Sequence, residues 1–384
     1  MNPAVPFLRF VRWAAPRVGG RAPSPPRPAA RVFRRRRVAR AAMAWFAAAF
    51  VVANVGLLLA LDVLWPRLRD PEYGIRVERL RACVAEHPGR PLVVVVGSSR
   101  VSMGLSPAAW EATRPAAPGR PDPLIYNMSL VGSGPVIELM CLKRLVADGF
   151  RPAAVVLEYW PPFLREDGPF HEPDRIDPNR LFEYDRPLVR DYFPDPAETE
   201  AKMRAARRNP LTETRHRLVA QVAPKWQPWD KRMDMMWANL DAWGWLPGLD
   251  EYPADPDRRP QRLAHCEKIY RGQFQGYTIH PLADRALREA VALARAHGAA
   301  VGFVYMPEAS EFRGWIPPEV ERASREYLAA LTRELSVPVI DARLWLDDGY
   351  LVDGFHLSRR GAAEFTARFG PAVAATFPDP RGAE

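Results

Sequence analysis

The sequence predicts an α/β domain with a mostly parallel sheet, carried behind one transmembrane helix. Three observations lead there. Beyond Pro66, short β-rich runs alternate with helical stretches; Leu92–Val96 (LVVVV) is apolar without a break; and the 21 residues Ala41–Leu61 carry no charge. An unbroken apolar run fits a strand buried on both faces. Strands alternating with helices fit a parallel sheet covered by helices on both sides.

Taken in chain order, residues 1–40 hold eleven arginines, no lysine and no acid, with seven prolines in the first thirty positions. They read as a disordered cytoplasmic tail whose arginines meet anionic membrane lipid. The apolar run that follows has only Asn54 as a strongly polar residue, and at 1.5 Å per residue it reaches across a hydrocarbon core of about 30 Å. It is longer than the roughly 7–15 apolar residues of a cleaved leader, and no A-x-A site follows. Arg34–Arg37 and Arg40 precede it, and Asp62 and Trp65 follow. Positive charge stays inside, so residues 41–62 are expected to be a single-pass signal anchor in the inner (plasma) membrane, N-terminus cytoplasmic and the rest extracytoplasmic. Residues 63–87 read as a linker and 88–378 as the α/β domain.

The net charge of +9 suggests nucleic acid until it is located: the tail accounts for more than all of it and leaves −2 on residues 41–384. A nucleic-acid footprint belongs on the folded domain, so that class is excluded. Forty-one prolines argue against long uninterrupted helices and for many bounded elements. Cys83, Cys141 and Cys266 match no metal or CxxC spacing and read as buried thiols, with a Cys83–Cys141 pair left open to an oxidising compartment.

Within the domain, strands are expected at Leu92–Val96, Leu124–Asn127, Ala154–Tyr159, Ala300–Met306 and Val337–Asp341. Helices are expected at Pro135–Ala147, Leu282–Ala296, Pro318–Leu335 and Arg360–Phe369. Residues 163–279 break the rhythm: they are rich in Pro, Asp and Arg, with five tryptophans between Trp226 and Trp245. They read as an insertion capping the core, with one or two helices around Ala197–Val222. Its tryptophans fit a satellite core, a carbohydrate-stacking surface or a membrane contact.

Ligands of open α/β sheets sit outside the carboxyl ends of the strands. The first strand ends in Gly97-Ser98-Ser99-Arg100, and a serine on a strand-to-helix turn presents its hydroxyl at that edge, close to N–H groups that can stabilise an oxyanion. A serine nucleophile needs a base, and the base a group that sets its tautomer. Asp353-Gly354-Phe355-His356, ahead of the last helix, can supply both within one turn. Glu158 and Glu308 end the third and fourth strands, and Arg100 and Arg313 are candidate anion binders; with Asn127 these read as substrate-binding residues. No metal cluster, phosphate loop or dinucleotide glycine pattern occurs, so no cofactor or metal is expected.

Together these pieces resemble the SGNH/GDSL hydrolase superfamily. Gly97-Ser98-Ser99 occupies the place of its Gly-Asp-Ser block, Asp353-Gly354-Phe355-His356 matches its C-terminal Asp-x-x-His block, and Asn127-Met128-Ser129-Leu130-Val131-Gly132 is similar to its second block. The resemblance spans about 90–160 and 280–370. It implies a flavodoxin-like three-layer α/β/α sandwich, Ser99 as nucleophile, His356 and Asp353 as its partners, and the N–H groups of Ser99 and Gly132 as oxyanion donors. Two positions depart from the pattern: Ser98 replaces the Asp, and Leu157-Glu158-Tyr159-Trp160-Pro161-Pro162 lacks the third block's Gly-x-Asn-Asp. Losing that Asn donor removes about 3 kcal/mol of transition-state stabilisation unless another group stands in. Membrane-anchored relatives, similar to alginate O-acetylation and teichoic-acid D-alanylation proteins, handle acyl groups on envelope polymers. By that resemblance the chain is a serine esterase or O-acyltransferase acting on an acylated extracytoplasmic glycan, with a membrane-bound acyl-donor partner. The competing reading is a catalytically silent scaffold that binds glycan or an export partner.

Overall fold

Five strands lie parallel in one sheet: β1 (Leu92–Val96), β2 (Leu124–Asn127), β3 (Ala154–Glu158), β4 (Ala300–Tyr305) and β5 (Val339–Asp341), ordered β2-β1-β3-β4-β5. The structure, a computed structural model, describes residues 29–114, 122–165, 172, 176–228, 232–248 and 258–377. Residues 1–28 of the expected tail, Trp229 of the insertion and residue 378 lie outside the described residues. The strands fall where the apolar runs put them. The last is shorter than expected, starting only after Pro338, which has no N–H to donate to a ladder.

The helices are α1 (Ala29–Leu59), α2 (Pro71–Glu86), α3 (Ser99–Gly104), α4 (Pro107–Thr113), α5 (Pro135–Ala147), α6 (Arg186–Tyr192), α7 (Pro196–Arg208), α8 (Pro210–Val222), α9 (Arg259–Tyr270), α10 (Pro281–Ala296), α11 (Ser310–Trp315), α12 (Pro318–Leu335) and α13 (Arg359–Thr376). Seven of them (α2, α4, α5, α7, α8, α10 and α12) begin on proline. There its fixed φ suits the helix and its missing N–H has no bond to make. The high proline content therefore sets helix boundaries.

Side-chain alternation along β1 builds two cores. Val94 and Val96 join Leu80 of α2, Leu139 and Leu142 of α5, Leu287 and Val291 of α10 and Leu331 of α12. Val93 and Val95 point the other way, to Trp110 of α4 and to Phe365, Phe369 and Val373 of α13. The fold is thus α/β, with a five-stranded parallel sheet and helices on both faces. In this strand order the sheet reverses its winding between β1 and β3, which places the crevice for a ligand beyond their carboxyl ends.

The chain divides into two units, Met1–Ala53 and Asn54–Glu384. In the first, α1 begins at Ala29, so the end of the expected disordered tail is helical: arginine is a good helix former, and no proline lies between Pro28 and Pro66. The span Arg35–Leu64 is 30 residues long and apolar enough to cross a membrane, and Met43, Trp45 and Phe46 are exposed on it.

In the second unit, the expected linker 63–87 is corrected to folded structure. Pro66–Leu68 is a short turn, and α2 buries Tyr73, Val77, Leu80 and Cys83 in the larger core. The spacing 73, 77, 80 is a helical apolar stripe. The polar residues between these positions obscure it in sequence. All three cysteines are buried and free.

The insertion is closed at its base by an antiparallel bridge between Arg165 and Ile279. Among its described residues it contains the four helices α6 to α9. Residues 241–248 run along the sheet edge: Asn127 N–H donates to Trp243 O (3.1 Å), Leu246 N–H to Ser102 O (3.0 Å) and Trp245 Nε1–H to Met103 O (2.7 Å). Gly244, at φ 80°, is required there, because a Cβ would come within 2.0 Å of Asn127 O. Trp237 is buried and Trp243 is half-buried against the core; only Trp226, among the described insertion tryptophans, is largely exposed.

A buried ion network ties the insertion to α2 and α5. Arg144, with no exposed side-chain surface, pairs with Asp70 (2.9 Å) and Asp185 (2.6 Å), while Arg180 pairs with Asp70 (2.8 Å) and Glu72 (2.9 Å). Burial alone raises the Asp70 pKa, but Arg180 and then Arg144 outweigh it and hold the group at about 2. A carboxylate with a depressed pKa contributes stability above its unfolded value and loses it as pH falls through the folded value. Asp70→Asn should destabilise the full-length protein at pH 7 by about 2–4 kcal/mol, since it leaves a buried arginine short of charge. It should also flatten the loss of stability between pH 4 and 2. Urea melts of both proteins at pH 7, 4 and 3 in detergent check this.

Candidate active site

The turn after β1 carries the first component. Ser98 caps α3, its Oγ accepting from Arg100 N–H (3.2 Å), and Ser99 is the first residue of that helix. Glu158, at the end of neighbouring β3, accepts the Ser98 N–H (2.6 Å) and so holds the turn from below. Gly97 makes room for this: a Cβ there would lie 2.7 Å from Val101 Cγ2 and 2.8 Å from Glu158 Cβ and Oε2.

The second component is the loop between β5 and α13. Val352 N–H donates to His356 O (2.9 Å), and Leu351 and Leu357 form an antiparallel bridge, so residues 352–356 make a tight hairpin. Asp353 Oδ1 accepts from His356 N–H (2.9 Å) and Phe355 N–H (3.3 Å). Phe355 anchors the hairpin in a cluster with Trp160 (5.4 Å between centroids), Tyr270 (4.8 Å) and Phe312 (5.3 Å). The loop is short, hydrogen-bonded and fastened by an aromatic ring.

The two components meet. Ser99 Oγ lies 2.8 Å from His356 Nε2, and His356 Nδ1 lies 2.7 Å from Asp353 Oδ2. The ionised Asp353 carboxylate can only accept, which puts the imidazole proton on Nδ1 and leaves Nε2 to accept the Ser99 hydroxyl. Burial works against the Asp353 charge, but His356, its N–H and that of Phe355 bring its pKa below the usual carboxylate value. The His356 and Asp353 side chains retain 20% and 16% of their exposure, so the chain of hydrogen bonds opens to solvent. Beside it is a cleft of about 380 Å³ lined by Arg258, Gln261, Arg262, His265, Cys266 and Asp353, most of it supplied by α9 of the insertion. Burial, then the Asp353 charge, pushes the Cys266 thiol up to about 12 and keeps it unreactive.

Gly132 sits on the loop between β2 and α5 with φ 78°. That loop runs beside the Ser99 turn, with Leu130 N–H on Gly97 O (2.9 Å) and Ser129 Oγ–H on Val95 O (3.3 Å). Glu172, which sequence reasoning missed, accepts from Gly134, Val136 and Ile137 N–H groups (2.5, 2.9 and 3.2 Å) and so occupies the N-terminus of α5.

Four expected substrate-binding residues are instead structural. Asn127 is fully buried and donates to Val101 O and Leu105 O (both 2.8 Å), tying α3 to β2. Arg100 has no exposed surface; it donates to Met306 O (2.9 Å) and Pro307 O (3.1 Å), pairs with Glu308 (3.3 Å) and Glu158 (3.6 Å), and lies over the Trp160 ring (4.7 Å). Glu158 and Glu308 are buried with it. The reason is one of direction: Arg100 follows Ser99 by one position, so on α3 the two side chains point to different sides, and Arg100 goes inward. Burial pushes the Glu308 carboxyl up to about 7 against the pull of Arg100 and Arg343. Arg313 lines a separate cavity of about 630 Å³ with Glu321, Arg325, Asp341, Arg343 and Trp345, in which none of Ser99, Asp353 and His356 takes part.

Trp160, also missed, stands two residues after Glu158, in the segment where the resemblance called for Gly-x-Asn-Asp. Its Nε1–H donates to Glu308 (3.2 Å), and its ring supports both Arg100 and Phe355. It thus braces both components of the site at once.

In comparisons with known proteins, no family model and no curated protein matches this chain.

Gly97→Ala should displace the turn and cost about 1–3 kcal/mol of stability, as overpacking does. It should also lengthen the Ser99–His356 contact. A lower melting temperature together with slowed modification of Ser99 is the expected result, measured on the full-length protein in detergent.

Proposed function

We propose that this chain is a membrane-tethered serine hydrolase or O-acyltransferase of SGNH type, acting on acyl esters of an extracytoplasmic glycan. The observation that carries the reading is the hydrogen-bonded chain Ser99–His356–Asp353. It joins residues 257 positions apart on the two loops that meet at the carboxyl edge of the sheet. The second support is the apolar helix, long enough to cross a membrane.

In this reading, Ser99 Oγ attacks the ester carbonyl as His356 Nε2 takes its proton. Asp353 keeps Nδ1 protonated and balances the imidazolium that forms. Ser99 and Gly132 N–H groups face the developing oxyanion, and the alkoxide leaves with the proton returned by His356. The acyl group then sits on Ser99 Oγ. Water attacking it gives hydrolysis and a glycan hydroxyl gives transfer, with His356 again taking the proton. The cleft formed with α9 is the place for the acceptor or the acyl-bearing sugar.

A fluorophosphonate probe should label the full-length protein at Ser99 alone. Ser99→Ala should abolish labelling and His356→Ala nearly so. Asp353→Asn, which can invert the imidazole tautomer, should slow it by orders of magnitude, toward the ~10⁴ of the serine-protease case. Melting temperatures should stay within a few degrees, because the site is half-exposed. Parental labelling in Ser99→Ala would remove Ser99 as nucleophile, and absence of labelling in the parent would favour the silent scaffold.

For the membrane reading, the arginines ahead of the span support an orientation with the domain outside. A reporter active only outside the cytoplasm, fused after Glu384, should be active. Activity solely from a cytoplasmic reporter would reverse the orientation.

A further inference from the structure

We infer that the outward face of α8, with the turn after it, lies in the headgroup layer of an anionic membrane and forms a second membrane attachment in addition to the transmembrane helix. The inference rests on the membrane-crossing reading proposed above.

The outward side of α8 mixes apolar residues with exposed Thr212, Glu213 and Arg215, and its inward side adds to buried Pro210 and Ala220 two polar residues that a water-soluble surface helix seldom buries. Thr214 and Arg217, one turn apart, face inward and are buried. Leu211 is 50% exposed and Val222 88% exposed, with half-buried Leu218 and Val219 between them on the outer side. The chain then turns through Pro224–Trp226, where Trp226 is 86% exposed. A buried arginine and an exposed tryptophan on one element are the informative exceptions to hydrophobic burial. The buried arginine is held inside the domain by Arg69 O and Asp177, and a lipid interface accounts for the rest: the apolar residues enter the acyl boundary, and tryptophan takes the level of the headgroups.

Two further observations select lipid as the occupant. The first is charge. Residues 204–226 hold six basic side chains against one acid, Glu213; Arg217 is buried, Arg204 pairs with Glu200 and Arg207 with Asp62 and Glu183, and Arg208, Arg215 and Lys225 are exposed. The second is position. Arg217 Nη1 donates to Arg69 O (3.1 Å), and Arg207 Nε lies 3.5 Å from Asp62, which itself pairs with Arg69. Asp62 belongs to the last turn of the apolar span, and its neighbours Val63, Leu64 and Trp65 are exposed. The apolar face of α8 is therefore carried on helices bonded directly to the point where the chain leaves the span. A protein partner or a second copy explains an apolar face, but neither the basic surplus nor this attachment.

The test uses the full-length protein, one copy per nanodisc of phosphatidylglycerol and phosphatidylcholine. Cysteine is introduced at Val222→Cys, at Trp226→Cys or, as a control, at Arg322→Cys on α12, where the side chain is 74% exposed. The three native cysteines are buried, so the unmodified protein sets the labelling background. Each site receives an environment-sensitive dye, and quenching by shallow nitroxide lipids is measured. Quenching at 222 and 226 should exceed that at 322 by about threefold or more, with blue-shifted emission, and should weaken when the anionic lipid is replaced by neutral lipid. Quenching at 222 and 226 no stronger than at 322 overturns the inference, as does dye shielded from water yet unreached by lipid quencher, the result for a protein partner. Extraction of the protein by alkaline carbonate would overturn the membrane anchor itself and this inference with it. Serine-probe labelling is independent of all these readouts, so failure here leaves the proposed chemistry standing.

Discussion

Arg144 joins three parts of the chain that sequence order keeps apart. Its guanidinium, without exposed surface, is shared by Asp70 at the start of α2 and Asp185 at the start of α6. Taking these charges out of water costs several kcal/mol for each ion, and only close, multiple pairing offsets it. Arg180 adds that pairing by reaching Asp70 and Glu72 together. Glu72 in turn accepts the Val131 N–H (2.7 Å), on the loop that carries Gly132. The network thus connects the segment leaving the apolar span, a helix covering the sheet, the insertion and a loop beside the site. The first three cannot shift alone without leaving a charge unpaired in the interior, and the loop cannot shift without giving up its hydrogen bond to Glu72.

The site uses the same device on a smaller scale. Glu158 serves both as acceptor for the Ser98 N–H and as partner to Arg100, whose inward course brings in Glu308 and Trp160. The buried charges under Ser99 therefore act as a foundation, and the cleft beside it is lined by Asp353 of the hairpin and by α9. Trp160 links the foundation to the hairpin through Phe355. In this protein a buried glutamate and a bulky aromatic, Glu158 and Trp160, stand in the segment where the resemblance implied Gly-x-Asn-Asp. A proton-transfer pair depends on such bracing, because an ångström of slack between Oγ and Nε2 weakens it steeply.

The insertion combines two kinds of surface. Its residues 241–248 and α9 are built into the domain by backbone hydrogen bonds and by the cleft beside Asp353, whereas α8 directs apolar side chains outward. The sheet and the loops that carry Ser99 and His356 have no structural need for that outward face. Its explanation has to come from what surrounds the protein.

Much of this was determined by the amino-acid sequence alone. The five strands are local apolar runs, and the helix starts are marked by proline; both depend on residues close together in the chain. The apolar span is readable for the same reason, since length and absence of charge are local properties. Ser99, Asp353 and His356 could be singled out because each lies in a short motif, Ser99 at a strand end and the other two just ahead of the last helix. Only the tertiary structure decided that they meet, because their contact closes a gap of 257 residues through packing that no local pattern encodes. It also decided which charges are buried. Arg100, Glu158 and Glu308 look like cleft residues when read along the chain, and α2 looks like a linker. Burial is set by what packs across from a residue, and the side-chain partners of Arg100, Glu158 and Glu308 named above lie 58 to 208 positions away.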